Sequence, residues 1–131
     1  MTSVSDRKVL TALAVDDDDM VLSVMVQSLE ELGFHTLSAL GGRQAMVMLE
    51  SRDDIDLLVT DVRMPRVTGL DLASAVLEKK RNLPVIFVTG YSAHFVAEGG
   101  HTPERMALLR KPYTLSELRQ TVQSLLPEHV C

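Results

Sequence analysis

Three stretches of this chain are apolar almost without interruption, and each ends abruptly in a residue able to do chemistry. Val9 to Val15 is broken only by Thr11 and runs into Asp16-Asp17-Asp18-Asp19. Leu57-Leu58-Val59-Thr60 runs into Asp61, and the nearly all-apolar Pro84 to Thr89 ends in a hydroxyl. Runs this short, apolar at successive positions, leave no face for water and read as strands buried on both sides. Helical stretches separate them, and buried strands alternating with helices make a parallel sheet covered on each side. Such a sheet gathers the loops after its strands into one crevice.

The intervening segments fit that frame. From Met20, the residues Val21, Met25, Leu29 and Leu32 fall on one helical face, and Gly33 supplies the stop. Phe34 to Leu40 reads as a second strand, with apolar Leu37 and Ala39. Gly41-Gly42 opens a turn into a short helix marked by Ala45, Met46 and Leu49 and ending about Ser51. Asp56 to Thr60 is the third strand, and Gly69 to about Lys80 is helical with Leu70, Ala73 and Leu77 inward. Pro84 to Thr89 is the fourth strand. Tyr91 to Glu98 has room for about two helical turns before Gly99-Gly100 and Pro103 cut it short. Met106 to Leu109 is a fifth strand. Thr114-Leu115-Ser116-Glu117 is a capping box, after which Leu115, Leu118, Val122 and Leu125 line a last helix that Pro127 ends.

Composition narrows the classes. A chain of 131 residues, 46% hydrophobic and 24% charged, reads as a single globular domain with a sizeable core. A net charge of −5 without a basic stripe argues against direct nucleic-acid binding. Met1 to Lys8 lacks the apolar core of a signal peptide, and no run is long enough to cross a bilayer, so neither export nor membrane insertion is expected and the compartment reads as cytoplasmic. The single cysteine, Cys131, allows no internal disulfide, and His35, His94, His101 and His129 lack metal-ligand spacing. Asp18 and Asp19 read as helix-capping residues, Asp53, Asp54 and Asp56 as a solvated loop, and the methionines as core filler.

Asp16 to Asp19, Asp61, Thr89 and Lys111 each follow a strand and should converge. Carboxylates crowded into one crevice repel one another and recruit a hard cation. Oxygen ligands that are few in number suit Mg²⁺ rather than Zn²⁺ or a Ca²⁺ cage. With a lysine and a threonine facing it, this is a phosphoryl site without a Gly-rich phosphate loop, and an aspartate can itself be the nucleophile.

Four motifs, in order, now carry a resemblance. Val15-Asp16-Asp17, Asp61-Val62-Arg63-Met64-Pro65 with Gly69, Val88-Thr89-Gly90 and Lys111-Pro112-Tyr113 resemble the receiver domains of two-component response regulators. The separations also match, 44 positions from Asp17 to Asp61 and 22 from Thr89 to Lys111. The resemblance spans essentially the whole chain. It implies a flavodoxin-like (βα)5 three-layer sandwich whose five parallel strands run in the order 2-1-3-4-5. It implies a folded domain over 8–126, with a flexible amino terminus (1–7) and a tail (127–131).

It also implies that Asp61 accepts a phosphoryl group from the phosphohistidine of a sensor histidine kinase or a histidine phosphotransfer protein. Asp17, Asp61 and the backbone carbonyl of Arg63 would ligate Mg²⁺ or Mn²⁺, and Asp16 would act through water. Lys111 would pair with the phosphoryl oxygens, across a bond to Pro112 that is usually cis in this family. Thr89 would move to the phosphoryl group and switch the surface of the fourth helix, fifth strand and fifth helix for a downstream protein target or a phosphorelay. Such a protein modifies itself and loses the group slowly, rather than turning over substrate.

Three departures qualify the likeness. Leu108 stands where the family usually has its switch aromatic, three residues before the lysine, and Tyr91 offers an aromatic in its stead. Arg63 and Tyr91, two residues after Asp61 and Thr89, flank the approach of water to phosphorus and predict a long-lived phosphoryl group. Gly99-Gly100 predicts a short or shifted fourth helix. Two alternatives stay open: a pseudo-receiver that binds partners without phosphorylation, and a haloacid-dehalogenase-like phosphatase with Asp16 as nucleophile. The second leaves Asp61 unexplained. No effector domain fits after the last helix, so the sequence reads as a stand-alone receiver or one cut from a hybrid kinase.

Overall fold

Side chains alternate across each strand, so every buried strand sends one apolar set to each face of its sheet. The computed structural model, which describes residues 9–79, 83–90 and 106–127, has a helical layer over both faces. Five strands, β1 (Thr11–Asp16), β2 (His35–Leu40), β3 (Leu57–Asp61), β4 (Val85–Thr89) and β5 (Met106–Arg110), pair in parallel in the order β2-β1-β3-β4-β5. The helices are α1 (Asp19–Glu31), α2 (Gly42–Ser51), α3 (Gly69–Lys79) and a C-terminal helix (Leu115–Leu125). This is the expected doubly covered sheet.

Ala12, Ala14, Leu57, Val59, Ile86 and Val88 meet Leu22, Met25 and Leu29 of α1 and Leu118, Val122 and Leu125 of the C-terminal helix. On the other face Leu13, Val15, Leu58, Val85 and Phe87 meet Ala45 and Leu49 of α2 and Leu72, Ala73 and Val76 of α3. Each large apolar side chain so buried contributes about 1.5–3 kcal/mol. The small Ala12 and Ala14 stand on the α1 face and Leu13 and Val15 on the other. A one-residue slip of β1 would exchange the two sets and misfill both cores.

Several local expectations are met. The Asp18 carboxylate caps α1, accepting from the Met20 and Val21 amides at 2.9 and 3.1 Å, and Gly33 ends that helix region with φ 95°. Thr114 and Glu117 form the reciprocal capping box, at 3.1 and 2.9 Å.

Other details differ. Strands β1, β3 and β5 each run one residue further than their apolar runs, taking in Asp16, Asp61 and Arg110, because ladder pairing continues through them. The buried face of α1 is carried by Leu22 rather than Val21, which is half-buried. In α3 the inward residues are Leu72, Ala73 and Val76, while Leu70 is half-buried and the side chain of Leu77 is outside the described set. Asp56 is not simply solvated, since its carboxylate accepts the Thr11 amide at 2.9 Å and ties the start of β3 to β1. Met25 and Met64 are core residues, but Met20 is 80% exposed and fills nothing. His35 is exposed. The helix expected at Tyr91 to Glu98, the Gly99-Gly100 break, His94, His101, His129 and Cys131 lie outside the described residues.

Candidate functional site: an acidic pocket at the carboxyl edge of the sheet

Parallel strands all end on the same edge, so residues distant in sequence become neighbours there. Asp16 closes β1, Asp61 closes β3 and Thr89 closes β4, and Lys111 follows β5 directly. The backbone fixes their relative heights: the Lys111 amide donates to the Thr89 carbonyl at 2.8 Å and the Val62 amide to the Val88 carbonyl at 3.2 Å. Asp17 begins the turn into α1.

One carboxylate oxygen from each of Asp16, Asp17 and Asp61 lies within 4.8 Å of the others. Lys111 answers them with a single positive charge, its Nζ 3.4 Å from Asp16 and 3.5 Å from Asp61. The three differ in access. Asp16 retains only 2% of its side-chain exposure and Asp61 14%, whereas Asp17 is open to solvent. One Asp16 oxygen accepts the Asp18 amide at 2.9 Å while the other faces Lys111, so that carboxylate is held in place. Burial pushes the Asp16 carboxyl above the usual carboxylate range and the charge of Asp61 adds to this, against the opposing pull of the Asp18 amide and Lys111.

Three carboxylates against one lysine leave the pocket with excess negative charge, and their oxygens are hard donors. That donor set fits a divalent cation such as Mg²⁺, with Asp16, Asp17 and Asp61 as the side chains able to hold it. Of the other expected residues, Arg63 is exposed and its amide approaches the Asp61 carboxylate at 3.4 Å. Thr89 is buried at the end of β4. Leu108 sits in β5 opposite Phe87 of β4 and packs in the α2–α3 core, so an aliphatic side chain occupies that strand position. Tyr91 lies outside the described residues. The bond between Lys111 and Pro112 is cis.

Sequence reasoning gave the Asp18 amide no part in orienting Asp16, and only an aspartate two residues earlier could have signalled it. Nor did it give Tyr113 a role beyond its motif. Tyr113 packs against the α1-side core, and burial, with the Asp16 charge second, holds its hydroxyl above its ordinary range.

Residues 12–123 match the family model described as the response regulator receiver domain. The chain belongs to that family. The receiver domain is 32% identical over 114 residues to the response regulator receiver protein CpdR of Brucella abortus, covering 87% of this chain and 93% of that one. It is 31% identical over 117 residues to the sensor kinase CckA of the same organism, covering 88% of this chain but 12% of the kinase. A response regulator receiver protein of Sinorhizobium medicae superposes with a TM-score of 0.84 at 30% identity, over 93% of the receiver and 98% of that chain. The regulator TrrA of Thermotoga maritima, solved in complex with Mg(2+)-BeF, gives 0.77 at 26% identity, over 88% and 98% of the two chains. No helix among the described residues of this receiver is long and apolar enough to cross a membrane.

Proposed function

We propose that this receiver domain accepts a phosphoryl group on Asp61, in a Mg²⁺-dependent transfer from the phosphohistidine of a sensor kinase or phosphotransfer protein. The observation that carries this is the pocket itself: Asp61 beside Asp16 and Asp17, with Lys111 Nζ 3.5 Å from its carboxylate. An Asp61 oxygen attacks phosphorus, a P–O bond forms, and the P–N bond to the donor imidazole breaks with its electron pair returning to the ring. A bound divalent cation supplies positive charge that offsets the carboxylates and the phosphoryl oxygens. Asp17, the Arg63 carbonyl and Asp61 would hold it, with Asp16 acting through water. Lys111 holds the second positive charge against the transferred group, and Thr89 donates its hydroxyl to a phosphoryl oxygen, linking phosphorylation to the β5 and C-terminal helix surface that a downstream protein reads.

Access supports Asp61 over Asp16 as the nucleophile. Asp16 is sealed at 2% side-chain exposure with both oxygens engaged, a poor arrangement for the phosphatase alternative. The TrrA complex is a relative that takes a phosphoryl mimic together with Mg²⁺, and the same chemistry is proposed here. We likewise propose that the folded domain extends over 8–126.

Intact-mass measurement after treatment with acetyl phosphate and Mg²⁺ tests the reading. A phosphoryl adduct that disappears in Asp61→Asn and without Mg²⁺ is expected. Beryllofluoride uptake separates the alternatives, since a receiver binds it at Asp61, a phosphatase at Asp16 and a pseudo-receiver at neither.

A further inference from the structure

The turn between β2 and α2 touches both sides of the acidic pocket. On one side the Gly41 amide donates to the Asp16 carbonyl at 3.0 Å, continuing the β1–β2 ladder one residue past its last pair. On the other side Gly42, buried at the first position of α2, abuts the β3–α3 loop. A Cβ built on Gly42 would collide with the Val67 carbonyl oxygen and stand 2.8 Å from the Val67 Cβ.

The loop pressed by Gly42 has little room to retreat. The Gly69 amide closes it by donating to the Val62 carbonyl at 3.0 Å, and a side chain on Gly69 would strike the Asp61 carbonyl oxygen. Inside it the Val67 amide donates to the Pro65 carbonyl at 2.8 Å across Arg66, whose φ of 68° is left-handed. Its far end is fixed by reciprocal bonds between Thr68 and Asp71, at 2.9 and 3.1 Å. Its near end carries Arg63, whose carbonyl is the backbone ligand in the proposed site.

We infer that the Gly41-Gly42 turn is a positioning strut of the pocket, holding the Asp16–Asp17 edge and the Arg63 loop at the separation a cation requires. This rests on the metal-binding reading above. The strut matters because Mg²⁺ demands near-ideal octahedral geometry at short distance, so a displacement of tenths of an ångström between ligand loops is felt. The nearest atom to a Gly42 side chain is backbone, which cannot rotate aside as a side chain would. Truncating Val67 therefore does not relieve Gly42→Ala.

The test is Mg²⁺ titration of the full chain, followed at the Asp17 and Arg63 amides by heteronuclear NMR. Gly42→Ala is expected to weaken Mg²⁺ binding about tenfold or more, in line with the loss of supporting contacts at metal sites generally. Adding Val67→Ala is expected to restore none of it. Leu49→Ala, a core truncation in the same helix, is expected to leave affinity within about twofold of wild type. Unchanged affinity in Gly42→Ala, or a parallel loss in Leu49→Ala, overturns the strut alone. A wild type that binds no Mg²⁺ overturns the strut and the metal-binding reading together. Hydrogen exchange on the wild type gives a second test that needs no variant to fold. Saturating Mg²⁺ should raise protection at the Gly41 and Val67 amides, and unchanged exchange there refutes the strut.

Discussion

Replacing Asp16 with asparagine should stabilise the cation-free fold, although it deletes a buried ion-pair partner. At an effective dielectric of about 20, Lys111 at 3.4 Å attracts Asp16 by about 5 kcal/mol. Asp61, with an oxygen within 4.8 Å, repels it by about 3.5 kcal/mol, less than Lys111 attracts it. Burial of the charge, with the repulsion from Asp61, outweighs Lys111 and the Asp18 amide together, so the ionised carboxylate is the costlier form in the folded state. Deleting one partner of a buried pair is normally damaging because it strands the other. Here Lys111 keeps Asp61 at 3.5 Å, and the asparagine oxygen still accepts the Asp18 amide.

The expected gain is on the order of 1 kcal/mol, the usual size for a single substitution, at neutral pH in urea unfolding without divalent cations. Its pH dependence has a definite sign. The folded carboxyl titrates above its unfolded value, so the folded state binds more protons and wild-type stability falls as pH rises from about 4 through the folded pKa. Asparagine has no such titration, so the gap between variant and wild type closes below about pH 4 and is complete at neutral pH. Saturating Mg²⁺ should narrow or reverse it by stabilising the wild type more. An Asp16→Asn protein that is less stable than wild type at neutral pH without metal, or a gap that does not change with pH, would refute the reasoning.

Further outcomes follow from other parts of the molecule. Asp18→Ala removes the α1 cap and should cost about 1 kcal/mol in thermal or urea unfolding while the phosphoryl adduct on Asp61 still forms. Arg66→Gly relieves a left-handed φ of 68° and should raise stability by up to about 1 kcal/mol; a loss instead would mean the Arg66 side chain holds the loop. Phe87→Ala opens the α2–α3 core at a residue 1% exposed and should cost about 3–5 kcal/mol, seen as a lowered urea midpoint. For Arg63→Ala combined with Tyr91→Ala, time-resolved intact mass should record faster loss of the phosphoryl group than in wild type, and an unchanged lifetime would remove both side chains from the control of hydrolysis.

Much of the architecture was legible because it depends on local pattern. Nearly unbroken apolar runs marked β1, β3 and β4, the Thr114–Glu117 capping box marked the C-terminal helix, and Gly33 marked the end of α1. The misjudged details are those where neighbours decide burial. Val21 and Leu22 are equally apolar, and only the position of β1 and β2 against α1 selects Leu22. Met20 reads as core by type but lies in the first turn of α1, pointing away from both layers, and is exposed. Asp56 reads as a loop residue because nothing in the chain announces that the Thr11 amide, 45 positions earlier, lies beside it.

For the site, the residue pattern alone settles which chemical groups exist and on which edge they end. A carboxylate or hydroxyl closing an apolar strand must stand at the carboxyl edge of a parallel sheet, so Asp16, Asp61, Thr89 and Lys111 could be grouped from their flanks alone. Packing settles how unequal the grouped residues are. Burial seals Asp16 and leaves Asp61 partly open, and Lys111 stands between them at 3.4 and 3.5 Å. The contact of Gly42 with Val67 joins segments with no local pattern in common. Exposure and distance are set by the packing of segments far apart in the chain, and no window of sequence contains both partners.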